Sequence, residues 1–218
     1  MMTRQSAQIF SPLLDQWLGV TVLGLILALL VGVPALWIYA HSDYVEGSRM
    51  APEQPIQFSH RHHVAEVGLD CRYCHGTVEH AASAGVPATT VCLTCHSQLY
   101  VGNDLFKPLH SEEPLHWRRV YRVPDYVYFN HSIHVTKGVS CVSCHGRVDQ
   151  MALVQLQQPL TMEFCLNCHN NPGPHLRPQS KVYDLAWERP YDPKLDQEML
   201  DHYQIRRQGL TDCSVCHR

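Results

Sequence analysis

All ten cysteines of this chain fall into five copies of one spacing. They are Cys71-Arg-Tyr-Cys74-His75, Cys92-Leu-Thr-Cys95-His96, Cys141-Val-Ser-Cys144-His145, Cys165-Leu-Asn-Cys168-His169 and Cys213-Ser-Val-Cys216-His217. Histidine makes up 16 of the 218 residues. Five histidines in five following positions would then arise by chance about two times in a million, so the histidine belongs to the motif. A disulfide framework gives it no role. Zinc ribbons also use C-x-x-C, but a four-cysteine site takes the pairs two at a time, and five pairs leave one over. The chemistry that uses all three residues is haem attachment. Two thiols add to the porphyrin vinyl groups, and the adjacent histidine ligates the iron from one side. The spacing therefore implies five covalently bound c-type haems, each with two thioethers from its cysteine pair. His75, His96, His145, His169 and His217 are their proximal ligands.

A second pattern supplies more imidazoles. Phe58-Ser-His60-Arg-His62-His63 precedes the first motif and Phe129-Asn-His131-Ser-Ile-His134 precedes the third, so both read F-x-H-x-x-H. Two imidazoles three residues apart lie on one face of a helical turn, where they can serve two different haems. The residues after these motifs match too, Cys74-His-Gly-Thr-Val-Glu79 against Cys144-His-Gly-Arg-Val-Asp149. The chain thus carries an internal repeat with an offset of about 70 residues. We expect a di-haem module at 41–110 and a tri-haem module at 111–218.

The elements that must hold these groups are few. A turn of helix brings the two cysteines of C-x-x-C to one side, so short helices belong at the motifs. A longer helix starts at Asp192 as N-cap with Pro193 in its first position, and Gly209 is its expected stop. No alternating run reads as a strand of any length. The expected fold is mainly irregular and α, with little β-structure and haem faces in place of an aliphatic interior.

Upstream lies a different kind of segment. Gln16 to Ala40 holds no charged residue. The 24 residues from Trp17 to Ala40 reach about 36 Å as a helix, enough to span a hydrocarbon layer of about 30 Å. Trp17 at one end, and Trp37 and Tyr39 at the other, suit the two interfaces. The apolar run exceeds a signal-peptide core and no small-x-small cleavage site follows, so an uncleaved anchor at 17–40 is the reading. Haem c is attached in the bacterial periplasm. Residues 1–16 are then a cytoplasmic tail, and the haem region is periplasmic on the bacterial inner membrane.

The paired histidines resemble those of the small three-haem cytochromes c. That resemblance implies distal ligation of the His75 iron by His60, of the His96 iron by His63, of the His145 iron by His131 and of the His169 iron by His134. It places the last distal ligand just ahead of the preceding motif, where Thr161-Met-Glu-Phe-Cys165 offers Met162 instead of the family's histidine. Met151, His175 and His202 are the alternatives. A thioether ligand would raise that haem's potential and suit it to be an exit or relay station.

The anchor, the five motifs in this order, and stretches such as Tyr128-Phe-Asn-His-Ser-Ile-His134 and Thr161-Met-Glu-Phe-Cys-Leu-Asn-Cys-His169 resemble the pentahaem cytochrome c subunits (ActA) of alternative complex III. That implies integral-membrane and iron–sulfur partner subunits that handle quinol. It also implies a periplasmic cytochrome c, a blue-copper protein or an oxidase as acceptor. With every iron six-coordinate no position is left for a substrate, so the chain reads as an electron relay without a catalytic site of its own. The alternative is a membrane quinol dehydrogenase of the NapC/NrfH type feeding a periplasmic reductase. The fifth motif and the paired repeats speak against it. A formal net charge of −3 lacks the basic stripe that nucleic acid would need. A hydrophobic share of 45% excludes a disordered chain.

Overall fold

The computed structural model describes residues 11–217. The chain divides into two units, 1–46 and 47–218. In the first, α1 runs from Pro12 to Ala40, 29 residues or about 43 Å. Ser11 caps it, its side chain accepting from the Leu14 N–H, and Pro12 takes the first helical position, where a missing N–H costs nothing. These two residues start the helix five positions ahead of the expected Trp17. Every side chain of α1 is exposed, apolar ones included, on all faces. A helix that is apolar all round and long enough to cross a bilayer is suited to lipid. His41 closes it, donating from Nδ1 to the Trp37 carbonyl at 2.9 Å with its ring stacked on Trp37. One turn, α2 at Asp43–Glu46, follows.

The second unit is irregular chain punctuated by short helices. These are α3 (Cys71–Cys74), α4 (Thr89–His96), α5 (His131–Thr136), α6 (Val142–His145), α7 (Met162–Asn170), α8 (Pro193–His202) and α9 (Cys213–Cys216). Among the described residues β-structure is confined to three isolated bridges. The absence of sheet follows from the sequence, which has no period-two run to build one.

Little of the interior is aliphatic. One small cluster joins Val78, Val135 and Val182, and another joins Leu176, Leu200 and Tyr203. The second is tied by polar contacts around Gly138. Arg177 N–H donates to the Gly138 carbonyl at 2.8 Å, the Tyr203 hydroxyl to the Arg177 carbonyl at 2.7 Å, and Lys137 Nζ to the Tyr203 carbonyl at 2.7 Å. Gly138 has φ +81°, and a Cβ there would lie 2.4 Å from the Tyr203 ring.

Helix α8 begins as expected, with the Asp192 side chain accepting from Lys194 N–H and Pro193 first in the helix. It ends seven residues before Gly209. Gln204 takes φ +52°, its N–H bonds the Asp201 carbonyl, and Ile205 N–H bonds Leu200. That is a Schellman closure with glutamine in the left-handed position, held by Ile205 packing on the Leu200 cluster. Contacts around Tyr203, rather than backbone freedom, decide where the helix stops.

Candidate haem-binding site

Each C-x-x-C-H segment folds as a helical turn closed by the histidine's own N–H. His75 donates to the Cys71 carbonyl at 2.9 Å, His145 to Cys141 at 2.8 Å and His217 to Cys213 at 2.8 Å. Asp70 caps the first turn through Arg72 N–H, and Thr161 caps α7 through Phe164 N–H. The F-x-H-x-x-H segments are helical as well. The second is α5, and the first is a wider turn at Arg61–Glu66 in which Val67 N–H reaches back five residues to the His62 carbonyl.

The rings meet in pairs. His60 lies 6.4 Å from His75 between centroids, His63 6.2 Å from His96, His131 6.4 Å from His145, and His134 6.1 Å from His169. The first and third pairs are nearly parallel, at 3° and 9°. A metal between two imidazoles, with bonds of about 2.0 Å and about 1.1 Å from nitrogen to ring centre, sets the centres roughly 6.2 Å apart. The four spacings fit that arrangement.

Hydrogen bonds choose the tautomer. His75 donates from Nδ1 to the Gly85 carbonyl at 2.7 Å, His63 to Ser59 at 2.9 Å, His131 to Ala82 at 2.8 Å, His134 to Asn130 at 2.7 Å and His169 to Leu210 at 2.9 Å. A carbonyl only accepts, so Nδ1 carries the proton and Nε2 keeps its lone pair, as a metal ligand requires. The Nδ1 atoms of His60 and His96 are buried without such a partner. Burial and the neighbouring His75 hold His60 down to about 4. Burial and His131 hold His145 down to about 4, and burial also lowers His134. These imidazoles are neutral at physiological pH.

Aromatic rings fix the histidines, a role the sequence left unassigned. Phe58 lies 4.9 Å from His60 and 4.4 Å from His63, while Phe129 lies 4.7 Å from His131 and 4.8 Å from His134. The recurring Phe of the repeat was the visible signal. Tyr121 against His145 at 4.2 Å and Phe106 against His96 at 4.7 Å carry no such periodicity.

All five cysteine pairs and all nine of these histidines line one connected cavity of about 2940 Å³. That is about three times the upper size of a pocket for a single small ligand. None of the ten cysteines is paired in a disulfide. Among the described residues no three His, Cys, Asp or Glu side chains converge on a common metal centre. The donor set fits covalently held, axially ligated haem and does not fit tetrahedral zinc.

His217 differs from the other four. Among the described residues its ring faces no imidazole at this spacing, and its nearest ring is Tyr126 at 5.9 Å. Met162, 61% exposed, and His175 share the cavity wall, whereas Met151 and His202 are outside its lining.

The family model described as cytochrome c552 matches residues 110–192. The chain is 33% identical over 206 residues to the "Menaquinone reductase, multiheme cytochrome c subunit" of Nitratidesulfovibrio vulgaris, covering 89% of this chain and 87% of that protein.

Proposed function

The chain belongs to the multihaem cytochrome c family, and on that premise we propose that it is the membrane-anchored cytochrome subunit of a quinone-linked oxidoreductase. The family implies covalent haem c, and five is the number we assign, one to each cysteine pair. The observation that carries the reading is the set of four imidazole pairs at 6.1–6.4 Å on a cavity lined by every motif. The haems, when bound, supply reversible one-electron chemistry of iron.

The protein residues do the rest. The cysteines hold each group in place, and each Nδ1 bond to a carbonyl fixes the plane and tautomer of an imidazole. Phe58 and Phe129 keep their pairs of rings from rotating. At four sites the paired imidazoles would hold a bound haem between them and would leave no room there for a substrate. At the fifth we assign Met162 opposite His217, supported by its place on the cavity wall.

Within the family the finer reading is the pentahaem subunit of alternative complex III. Helix α1 anchors the chain in the bacterial inner membrane with its amino terminus cytoplasmic and the haem unit periplasmic. Integral-membrane and iron–sulfur subunits would exchange electrons with quinol, and a periplasmic cytochrome c, blue-copper protein or oxidase would take them onward. The relative's name, menaquinone reductase, favours a second reading in which the same parts run toward the quinone.

Two measurements test this. Pyridine haemochrome analysis of the purified chain should return five haems per polypeptide, and a smaller number overturns the assignment. In the intact complex, quinol should reduce the haems faster than a periplasmic donor does. The reverse order replaces the first direction with the second.

A further inference from the structure

We propose that the five attachment sites form one unbranched series in the order second, first, third, fourth, fifth, so that electrons enter and leave at the second and fifth motifs. The inference rests on the five-haem reading above and adds a path to it.

Neighbours are identified by contacts between the motifs themselves. The second and first motifs touch through Tyr73 and Thr94, each inside its own C-x-x-C, whose hydroxyls lie 2.8 Å apart. His60 and His63 rise from one turn to face His75 and His96, and Phe58 packs on both. The first and third motifs meet where His131, facing the third motif's His145, donates from its backbone N–H and its Nδ1 to the Ala82 carbonyl just after the first motif, at 3.1 and 2.8 Å, and where Val78 packs with Val135 of α5. The third and fourth share α5, whose His131 and His134 face His145 and His169. The fourth and fifth are joined where His169 Nδ1 donates to the Leu210 carbonyl at 2.9 Å, three residues ahead of Cys213.

The central junction joins the loop after the first motif to the α5 turn that serves the third, so the two repeats meet at the first and third motifs. Their outer sites are then the second and the fourth motifs. The fifth extends one arm only, which gives the series unlike ends. An electron crossing it leaves a one-electron donor oxidised at one end and a one-electron acceptor reduced at the other, with no bond made or broken in the protein.

The test is redox titration of the purified full-length holoprotein with one distal imidazole replaced at a time: His60→Met, His63→Met, His131→Met and His134→Met. Each exchange marks its own site by a changed spectrum and raised potential, and adjacent irons respond through their mutual charge. His63→Met should shift one other site, and His60→Met, His131→Met and His134→Met two each. A His63→Met protein that shifts two sites, or a His131→Met protein that leaves the first or fourth unmoved, overturns the order. If a variant fails to accumulate, dipolar broadening of the ferric EPR signals in the unsubstituted protein gives the same adjacency. Two sites should each lose broadening in one step of reduction and three sites in two steps, and any other partition overturns the series. Failure of the five-haem reading looks different, because it lowers the haem content itself.

Discussion

Replacing Met162 with alanine isolates the His217 site, where among the described residues no second imidazole faces the ring. Met162 is exposed on the cavity wall and makes no aliphatic core, so its loss costs little packing. The expected outcome is a change in the spectrum of the His217 site alone and a fall in its potential, with a smaller shift at the adjacent fourth site, read by redox titration. A titration identical to that of the unsubstituted protein rules Met162 out as a ligand. Single residues were where the sequence spoke most clearly. The ten cysteines and five following histidines are legible because their chemistry demands adjacency in the chain. The carbonyls of Gly85, Ala82 and Leu210 were not legible, because any residue supplies a carbonyl and only the fold decides which one faces a ring. His62 shows the same limit. It sits between two paired histidines in sequence, yet it is exposed and bonds to Glu66 at 2.7 Å.

Gly138 is where one element's geometry depends on another's. It takes a left-handed φ of +81°, and an added Cβ would press on the Tyr203 ring at 2.4 Å and the Arg177 carbonyl at 2.7 Å. Gly138→Ala should therefore destabilise the unit by at least about 2 kcal/mol, through strain and overpacking together. Thermal unfolding of the holoprotein measures it, and a midpoint unchanged within error contradicts the close approach. The same knot explains what the sequence did and did not reveal about α8. Asp192 and Pro193 mark its start because capping is local chemistry. Its end was misread because glycine is the usual left-handed residue, while here Tyr203 and Ile205 packing places Gln204 in that conformation. Gly209 does adopt a positive φ, but in the loop beyond. The anchor shows the converse: its apolar length was plain, and its true start lay in the Ser11–Pro12 cap five residues upstream.

Among the described residues, the buried aliphatic side chains are two small clusters and scattered residues such as Ile56, Leu109 and Leu185, beside a cavity of about 2940 Å³. The repeat itself was readable in the sequence. The contacts that join its halves were not, because the Ala82 carbonyl accepting from His131 and the Tyr183 hydroxyl donating to Glu79 at 2.7 Å lie between residues far apart in the chain. Scant apolar burial sets the stability of such a unit apart from that of an ordinary domain, where hydrophobic burial is the leading favourable contribution. Here the leading share falls to whatever the cysteines and histidines hold, and binding free energy becomes folding free energy. Alanine at both Cys71 and Cys74, an interior site of the proposed series, should accordingly leave little full-length chain in the cell. An immunoblot of the membrane fraction reads this, and wild-type abundance would contradict it. The sparse core reaches beyond the test tube. Translation of the message makes only a candidate polypeptide, and the finished population follows the rate at which cofactor is delivered and ligated. Iron shortage would then trim the amount of this cytochrome directly through proteolysis, with no regulator of transcription needed.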